Sequence, residues 1–166
     1  MFKQIILPIL AVIVFIVAVG IFVQKSSSLN FFATPTPQST LQEKTITVGS
    51  KTIQVQLADT EATREQGLSG VTSLGANNGM LFVFDTNVTA VFWMRGMLIP
   101  LDMIWIESGK VIRIDKNIPK PDPNTPDAQL ATYSAGQPVD HVLEVNAGFS
   151  DANKIKVGDV VNLSGI

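Results

Sequence analysis

The chain has 166 residues and a formal net charge of -2, which suits one compact domain with additional segments and not two full domains. It contains no cysteine, which excludes disulfides, thiolate nucleophiles, iron–sulfur clusters and the common structural zinc sites. Its 12 Lys and Arg residues are scattered along the chain, so we expect no nucleic-acid partner, because phosphate binding needs clustered cations.

The N-terminal stretch Ile5–Val23 carries no charged residue. A helix over this stretch would be about 28 Å long, close to the hydrocarbon thickness of a bilayer. We therefore predict that residues 1–24 form a single-pass transmembrane anchor, with the N-terminus in the cytoplasm and the rest of the chain outside. The alternative is a signal peptide cleaved near Gly20, since Ala18-Val19-Gly20 offers the small residues that a signal peptidase recognises.

Residues 25–40 are rich in Ser, Thr and Pro and lack a periodic apolar pattern, so they are predicted to be an extended linker. Residues 41–166 are predicted to form the extracytoplasmic domain. Its first segment, "KTITVGSKTIQVQLA", alternates apolar and polar residues on both sides of Gly49-Ser50. This pattern indicates a β-hairpin with a tight turn.

A short helix is predicted next, with Thr60 as its N-cap, Glu61 and Glu65 early in it, and Gly67 or Gly70 at its end. The segments "GMLFVF" and "TAVFWM" then favour two strands. The polar residues Asp85 to Asn87 between them favour a turn.

The segment "LDMIWIESGKVIRIDK" predicts a second hairpin, in which Gly109 can adopt positive φ at the turn. The neighbouring stretch from Val91 to Ile106 is apolar enough to suggest a second membrane span. Two charged residues, Arg95 and Asp102, would each cost a few kcal/mol at bilayer depth, and Pro100 would interrupt a helix. We therefore predict one span only.

Residues 117–138 carry five prolines and are predicted to be a long irregular loop. After it, "VDHVLEVNAG" favours a strand, "FSDANKI" a short helix or turn, and "KVGDVVNL" a last strand entered through Gly158-Asp159. The fold class predicted is α+β: a small, mostly antiparallel β domain with a barrel-like sheet of about six to eight short strands and one or two short helices.

Several segments recur in the order found in one protein family: "TREQGL", "GMLFVF", "FWMRGMLIPLDMIWI", the tyrosine of "TYSAGQP", "HVLEVNAG" and "KVGDVV". The chain resembles the bacterial and archaeal family called domain of unknown function 192, or uncharacterised protein family 0127, over roughly Lys44 to Leu163. The resemblance implies a compact, mostly β domain, often exported behind a signal or anchor. It implies no biochemical activity, because fold alone does not carry function.

Two positions depart from the family pattern. Arg95 stands where the family usually has lysine, and Gly96-Met97 stands where asparagine-threonine is more common. If this turn contacts a ligand, two side chains able to make polar contacts are missing here.

Arg95 and Asp102 are the first candidate site. The seven-residue spacing across Leu98-Ile99-Pro100 would let a loop fold back and pair guanidinium with carboxylate, and the favoured interpretation is a structural ion pair. The other interpretation is an anion or carboxylate site, in which Arg95 donates two parallel hydrogen bonds beside the face of Trp93 and Tyr133 covers the ligand.

Arg64 and Glu144 are further binding candidates. Arg64, on the predicted helix, is more simply a solvated or paired surface residue. Glu144 alternates with apolar residues in a strand, so it either faces water or is buried and paired with Arg64 or Arg95. His141, the one histidine, has no nucleophile elbow or catalytic partner in the sequence, so catalysis through it is not expected.

Four methionines, Met80, Met94, Met97 and Met103, could suggest a copper(I) site. Their bulky apolar neighbours favour core packing instead, and we predict no metal and no cofactor. Trp93 and Trp105 are predicted to be core or groove residues; an exposed one could stack on a sugar or a peptide.

The function predicted is a membrane-anchored binding or accessory module of the cell envelope, with a small anionic, sugar or peptide ligand and no catalytic residues. One alternative is an enzyme acting on an envelope component, with Arg95 and Asp102 at its centre and the proline-rich loop as a lid. A deep pocket lined by Arg95 and Asp102, together with a perturbed titratable group, would favour that alternative. Another is a structural partner of a membrane protein, marked by an exposed apolar patch.

Overall fold

The computed structural model describes residues 41–166. The predicted anchor at 1–24 and linker at 25–40 lie outside the described residues. Within 41–166, no helix is both long enough and apolar enough to cross a membrane.

The described chain forms nine strands, two short α-helices and one 3-10 turn. In chain order they are β1 Glu43–Val48, β2 Lys51–Ala58, α1 Glu61–Gln66, β3 Asn78–Val88, β4 Phe92–Trp93, β5 Leu101–Glu107, β6 Lys110–Ile118, the 3-10 turn Asp127–Gln129, β7 Thr132–Tyr133, β8 Val139–Asn146, α2 Phe149–Ala152 and β9 Val161–Asn162.

Seven strands form one sheet in the order β6-β5-β8-β3-β2-β1-β9. Every pairing in it is antiparallel except β2 with β3, which is parallel because α1 lies in the connection between them. The sheet curls into a half-barrel. Its edges meet at one end, where Val111 N–H donates to the Asp159 carbonyl over 3.0 Å and Val161 N–H donates to the Gly109 carbonyl over 2.8 Å. The fold is thus β-rich, with few short helices.

The central strands are buried on both faces. In β5, successive side chains pack into two different hydrophobic clusters. Leu101, Met103 and Trp105 pack into one hydrophobic cluster, while Ile104 and Ile106 pack into a second one. Successive side chains of a strand point to opposite faces of a sheet, so the two clusters lie on opposite faces. This explains why "LDMIWI" is apolar almost throughout.

The small sheet β4-β7 covers part of the first cluster. Phe92 in β4 pairs with Tyr133 in β7. Its ring also meets the rings of Phe82 and Trp105 edge-on, at centroid distances of 4.8 and 5.5 Å. Such edge-to-face contacts are favoured by the ring quadrupoles, and they fix β4 and the residues after it against the main sheet.

Local signals predicted several elements correctly. Both hairpins form, and the second turns through Ser108 and Gly109, which have φ of 49° and 69°. Helix α1 begins after Thr60, whose side chain accepts a hydrogen bond from Thr63 N–H, and Gly67 caps its end. The strand β8 and the short helix α2 also form as predicted.

The turn predicted at Asp85 to Asn87 is wrong. β3 continues through these residues to Val88, and the second predicted strand shrinks to Phe92–Trp93. The three polar residues are exposed and lie in an irregularity of β3, between the pairs Val83 with His141 and Val88 with Val139. The last predicted strand is likewise shortened to Val161–Asn162, and β7 with the 3-10 turn lies inside the predicted loop.

Candidate functional site

A cleft of about 340 Å³ opens between α1, the end of β3 and the β4 segment. We call it the Glu144 cleft, after the one residue of β8 that lines it. Arg64, Glu65, Arg95 and Glu144 supply its ionisable groups, and Trp93 supplies an indole ring. Its apolar walls are Leu68, Phe82, Phe84, Val91, Phe92 and Met97. Its volume lies at the lower end of the range of small-molecule sites.

Glu144 is a buried carboxyl group with no partner. It lies in β8 between Met80 of β3 and Met103 of β5, and only 4% of its surface is exposed. Within residues 41–166, no hydrogen bond or ion pair reaches its side-chain carboxyl group, and burial by itself raises the pKa of that group to about 8. Since desolvation disfavours the charged form, Glu144 is mainly protonated at neutral pH and offers one O–H donor to the cleft.

Arg95 and Trp93 form the second feature of the cleft. The guanidinium carbon of Arg95 lies 4.8 Å from the centroid of the Trp93 ring, a cation–π contact. Trp93 is 48% exposed. Arg95 also lies 3.9 Å from a carboxylate oxygen of Glu65 and 3.6 Å from one of Asp127. Both distances exceed hydrogen-bond length, so the guanidinium N–H groups make no hydrogen bond within the described chain.

Arg64 stabilises the fold through hydrogen bonds to two backbone carbonyl groups. Its Nη1 atom donates to the carbonyl oxygens of Asp59 and Val83, over 2.7 and 2.9 Å, and its guanidinium lies 5.6 Å from the Phe84 ring centroid. These contacts tie α1 to the ends of β2 and β3. Arg64 therefore builds one wall of the cleft while adding a positive charge to it.

The predicted ion pair between Arg95 and Asp102 is wrong. Asp102 is fully buried and accepts three backbone N–H groups: those of Asn117 and Gly148 on Oδ1, over 2.8 and 3.0 Å, and that of Ser150 on Oδ2, over 2.9 Å. It shares a face of the sheet with Ile104, whereas the segment around Arg95 packs against the opposite face with Met103. Asp102 thus does not line the cleft.

The predicted pairing of Glu144 with Arg64 or Arg95 is also not formed, although all three residues line the same cleft. Arg64 is bonded to backbone carbonyls, and the ion pairs of Arg95 go to Glu65 and Asp127. The cleft therefore keeps one neutral carboxyl group apart from its two cations.

Tyr133 does not cover Arg95. It is half-buried in β7 and lines a separate hollow of about 180 Å³, beneath the proline-rich loop. The residue of that loop that approaches Arg95 is Asp127. Sequence reasoning missed Asp127 because nothing local distinguishes it from other acidic loop residues.

The other candidates have structural surroundings. His141 Nδ1 lies 2.9 Å from Asp140 Oδ1, outside the cleft. Trp105 is fully buried, and its Nε1 donates to Asp115 over 2.7 Å. All four methionines discussed above are buried in the core, as core packing requires, and no group of three or more His, Asp or Glu residues in 41–166 could hold a metal ion.

The two positions that depart from the family pattern lie at the cleft. Gly96 has φ of 69°, and its carbonyl accepts a hydrogen bond from Gly70 N–H over 2.9 Å. A Cβ at this position would lie 2.2 Å from Ser69 Oγ, so only glycine allows this close approach without a shift. Met97 supplies an apolar wall.

Three aromatic wall residues, Phe82, Phe84 and Phe92, were not predicted as site residues. Phe82 and Phe84 alternate along β3 and therefore share one face of the sheet. That spacing is a usable signal for a common surface. It does not reveal which segment packs over that surface, and this was the missing information.

Comparison with known proteins identifies the family without identifying a function. The profile of the family domain of unknown function 192, described as "Uncharacterized ACR", matches residues 44–163. No curated protein matches the chain.

Two crystal structures are similar to this fold. A protein of unknown function from Novosphingobium aromaticivorans is 33% identical, with a TM-score of 0.67, over 76% of this chain and 89% of that one. A protein from Sinorhizobium meliloti, provisionally described as a transcription regulator, is 28% identical, with a TM-score of 0.67, over 76% of this chain and 97% of that one.

Proposed function

For this chain, which belongs to the family domain of unknown function 192, we propose that residues 41–166 act as a binding module for a small molecule in the Glu144 cleft. We further propose that an N-terminal anchor holds the module outside the cytoplasm as an accessory protein of the cell envelope. The two parts rest on different observations and have separate tests.

One observation supports binding above all others: Glu144 is buried, lines a cleft and has no partner within 41–166. A carboxyl group that is largely removed from water and gains no hydrogen bond from the chain reduces the stability of the fold. An apolar residue of similar size between Met80 and Met103 would avoid this cost. Residues that reduce stability in this way are concentrated at functional sites.

Replacing Glu144 with methionine tests this proposal, because the variant should gain stability and lose the response to a ligand. The variant Glu144→Met should have a higher unfolding midpoint than the wild type, because it removes an unpaired carboxyl group from the core. A panel of small organic anions, sugars and cell-wall peptides should contain a class that raises the midpoint of the wild type and not that of the variant.

Gln54→Met is the matched control, because Gln54 is exposed on β2 and does not line the Glu144 cleft. It should change neither the unfolding midpoint nor the response of that midpoint to the panel. The proposal fails if no class in the panel shifts the wild type and Glu144→Met is no more stable than the wild type.

The anchoring proposal rests on the uncharged stretch Ile5–Val23. Alkaline phosphatase fused to the C-terminus should be active, because that enzyme folds only in an oxidising compartment. The full-length chain should sediment with membranes. A shortened chain in the soluble fraction would instead favour cleavage near Gly20.

The enzyme alternative centred on Arg95 and Asp102 loses its geometric basis, because Asp102 is saturated by backbone donors away from the cleft. A docking role has one supporting observation: Val91, Trp93 and Leu98 are exposed apolar residues near the cleft, 65%, 48% and 47% exposed. Nucleic acid is not a proposed ligand, since acidic residues outnumber basic ones in 41–166.

A further inference from the structure

We propose that the Glu144 cleft takes a small organic carboxylate with an apolar body, and that Arg95 binds its carboxylate group. This inference rests on the proposed binding function and adds the chemical class of the ligand. Three features carry it: the free donors of Arg95, the composition of the walls, and the absence of negative charge on the buried carboxyl group.

The donors of Arg95 are oriented and unused. Its stacking on Trp93 at 4.8 Å restrains the guanidinium plane, while its N–H groups have no acceptor within hydrogen-bond distance in the described chain. A planar guanidinium matches a carboxylate through two parallel N–H···O bonds. Because stacking already restrains the side chain, less conformational entropy is lost when those bonds form.

The two acidic neighbours of Arg95 do not occupy this position. Glu65 and Asp127 keep 74% and 64% of their side chains exposed, so water hydrates both carboxylates and salt screens them. Their loose contacts hold the guanidinium between α1 and the proline-rich loop. A ligand carboxylate within hydrogen-bond length would interact more strongly than either of them, since geometry and distance favour it.

A second hollow, of about 240 Å³, adjoins the Glu144 cleft at Arg95. It is lined by Ala62, Glu65, Gln66, Ser69, Trp93 and Arg95, and all of these except Ala62 also line the cleft. The polar side chains of that hollow provide a wet surface around Arg95. A ligand with its charged end at Arg95 and its body in the cleft therefore keeps its carboxylate partly hydrated while its body is desolvated.

The walls select an apolar body. Phe82, Phe92 and Met97 line the cleft. Burial of an aromatic ring against such walls removes apolar surface from water, which favours binding. The cleft volume of about 340 Å³ accommodates one ring with a short chain.

Glu144 does not oppose an anionic ligand. Because its carboxyl group is mainly protonated at neutral pH, it adds no negative charge to the cleft. An ionised carboxylate at the same place would repel the ligand through a medium of low polarity. The other ionisable side chains of the lining are the cations Arg64 and Arg95 and the carboxylate of Glu65. Glu65 is 74% exposed, so its charge is screened by water and opposes a bound anion only weakly.

Three probes that share one phenylpropyl frame test the inference: 3-phenylpropanoate, 3-phenylpropanamide and 3-phenylpropylamine. Each is titrated calorimetrically at pH 7 into the full chain in phosphatidylcholine nanodiscs, with empty nanodiscs as the blank. The carboxylate should bind about tenfold more tightly than the amide and the amine, as a charge-assisted bidentate contact requires. The fluorescence of Trp93 should change on binding, because the other tryptophan is fully buried.

Arg95→Gln should abolish the preference for the carboxylate and leave the affinity for the amide within about twofold. Arg113→Gln is the matched control, since Arg113 is paired with Asp115 on β6 and lies outside the cleft. It should preserve the preference. A peptide ending in a free phenylalanine carboxylate, compared with its C-terminal amide, distinguishes a peptide terminus from a free acid as the source of the group.

Equal affinity for carboxylate and amide, or a preference that survives Arg95→Gln, would overturn the carboxylate inference and leave the binding proposal standing. Absence of binding by all three probes would also overturn it. The binding proposal is judged separately, by the stability of Glu144→Met and its response to the wider panel.

Discussion

Two buried carboxyl groups on opposite faces of one sheet have opposite surroundings. Asp102, on β5, accepts three backbone N–H groups at 2.8 to 3.0 Å and joins the start of α2 to the end of β6. Glu144, on the neighbouring strand β8, makes no side-chain hydrogen bond within the described residues and lines a cleft. The first arrangement stabilises the fold, whereas the second leaves a polar group free for a molecule that the chain itself does not supply.

The largest expected effect is at Asp102. Asp102→Ala leaves three buried N–H groups without an acceptor, so we expect the free energy of unfolding to fall by about 3–5 kcal/mol. Chemical denaturation measures this loss. Asp85→Ala, at an exposed position of β3, is the control and should cost less than about 0.5 kcal/mol. A loss of similar size for both variants would show that the three backbone hydrogen bonds of Asp102 do not stabilise the fold.

The second effect is a pH dependence from Glu144. Its pKa is raised from 4.5 to about 8 on folding, so the folded state binds a proton that the unfolded state releases between these values. Stability from this group is therefore fully present below about pH 4.5, falls as pH rises, and levels off above about pH 8. The slope is about 1.4 kcal/mol for each pH unit between them.

Glu144→Gln has nearly the same shape and no titrating group. The difference in unfolding free energy between the variant and the wild type should increase by about 2–3 kcal/mol from pH 5 to pH 7. Denaturation curves at four pH values between 5 and 8 measure it. A constant difference would mean that Glu144 titrates at an ordinary pKa and is not desolvated.

The smallest expected effect on stability is at Arg95. Both of its ion pairs are exposed and longer than hydrogen bonds, so Arg95→Gln should change the free energy of unfolding by less than about 0.5 kcal/mol. A loss above about 2 kcal/mol would show that Arg95 clamps the loops together and would favour the structural interpretation made from sequence.

The sequence predicted features that local chemistry determines. The hairpin turn at Gly109, the Thr60 cap and the alternation in β8 each depend on a few neighbouring residues. The parallel pairing of β2 with β3 was not predicted, because no local pattern distinguishes it from an antiparallel pairing. The half-barrel shape depends on contacts between β6 and β9, which lie far apart in the chain.

The site was also predicted only in part, because some of its contacts join residues that lie far apart in the chain. Glu144 and Arg95 were recognised as unusual polar residues in apolar segments, and both line the cleft. Asp102 was paired with the wrong partner, although the alternation of side chains along β5 indicates which face of the sheet it lies on. Leu101, Met103 and Trp105 share one face, so Asp102 must lie on the other.

The most direct test of the central claim is the titration of the Glu144 side-chain carboxyl carbon by ¹³C NMR in the full chain, assigned by comparison with Glu144→Gln. We predict that this carboxyl group titrates with a midpoint near pH 8 and that its chemical shift changes when 3-phenylpropanoate is added. A midpoint near 4.5 with no response to that probe would contradict it, because Glu144 would then be an ordinary hydrated or paired carboxylate.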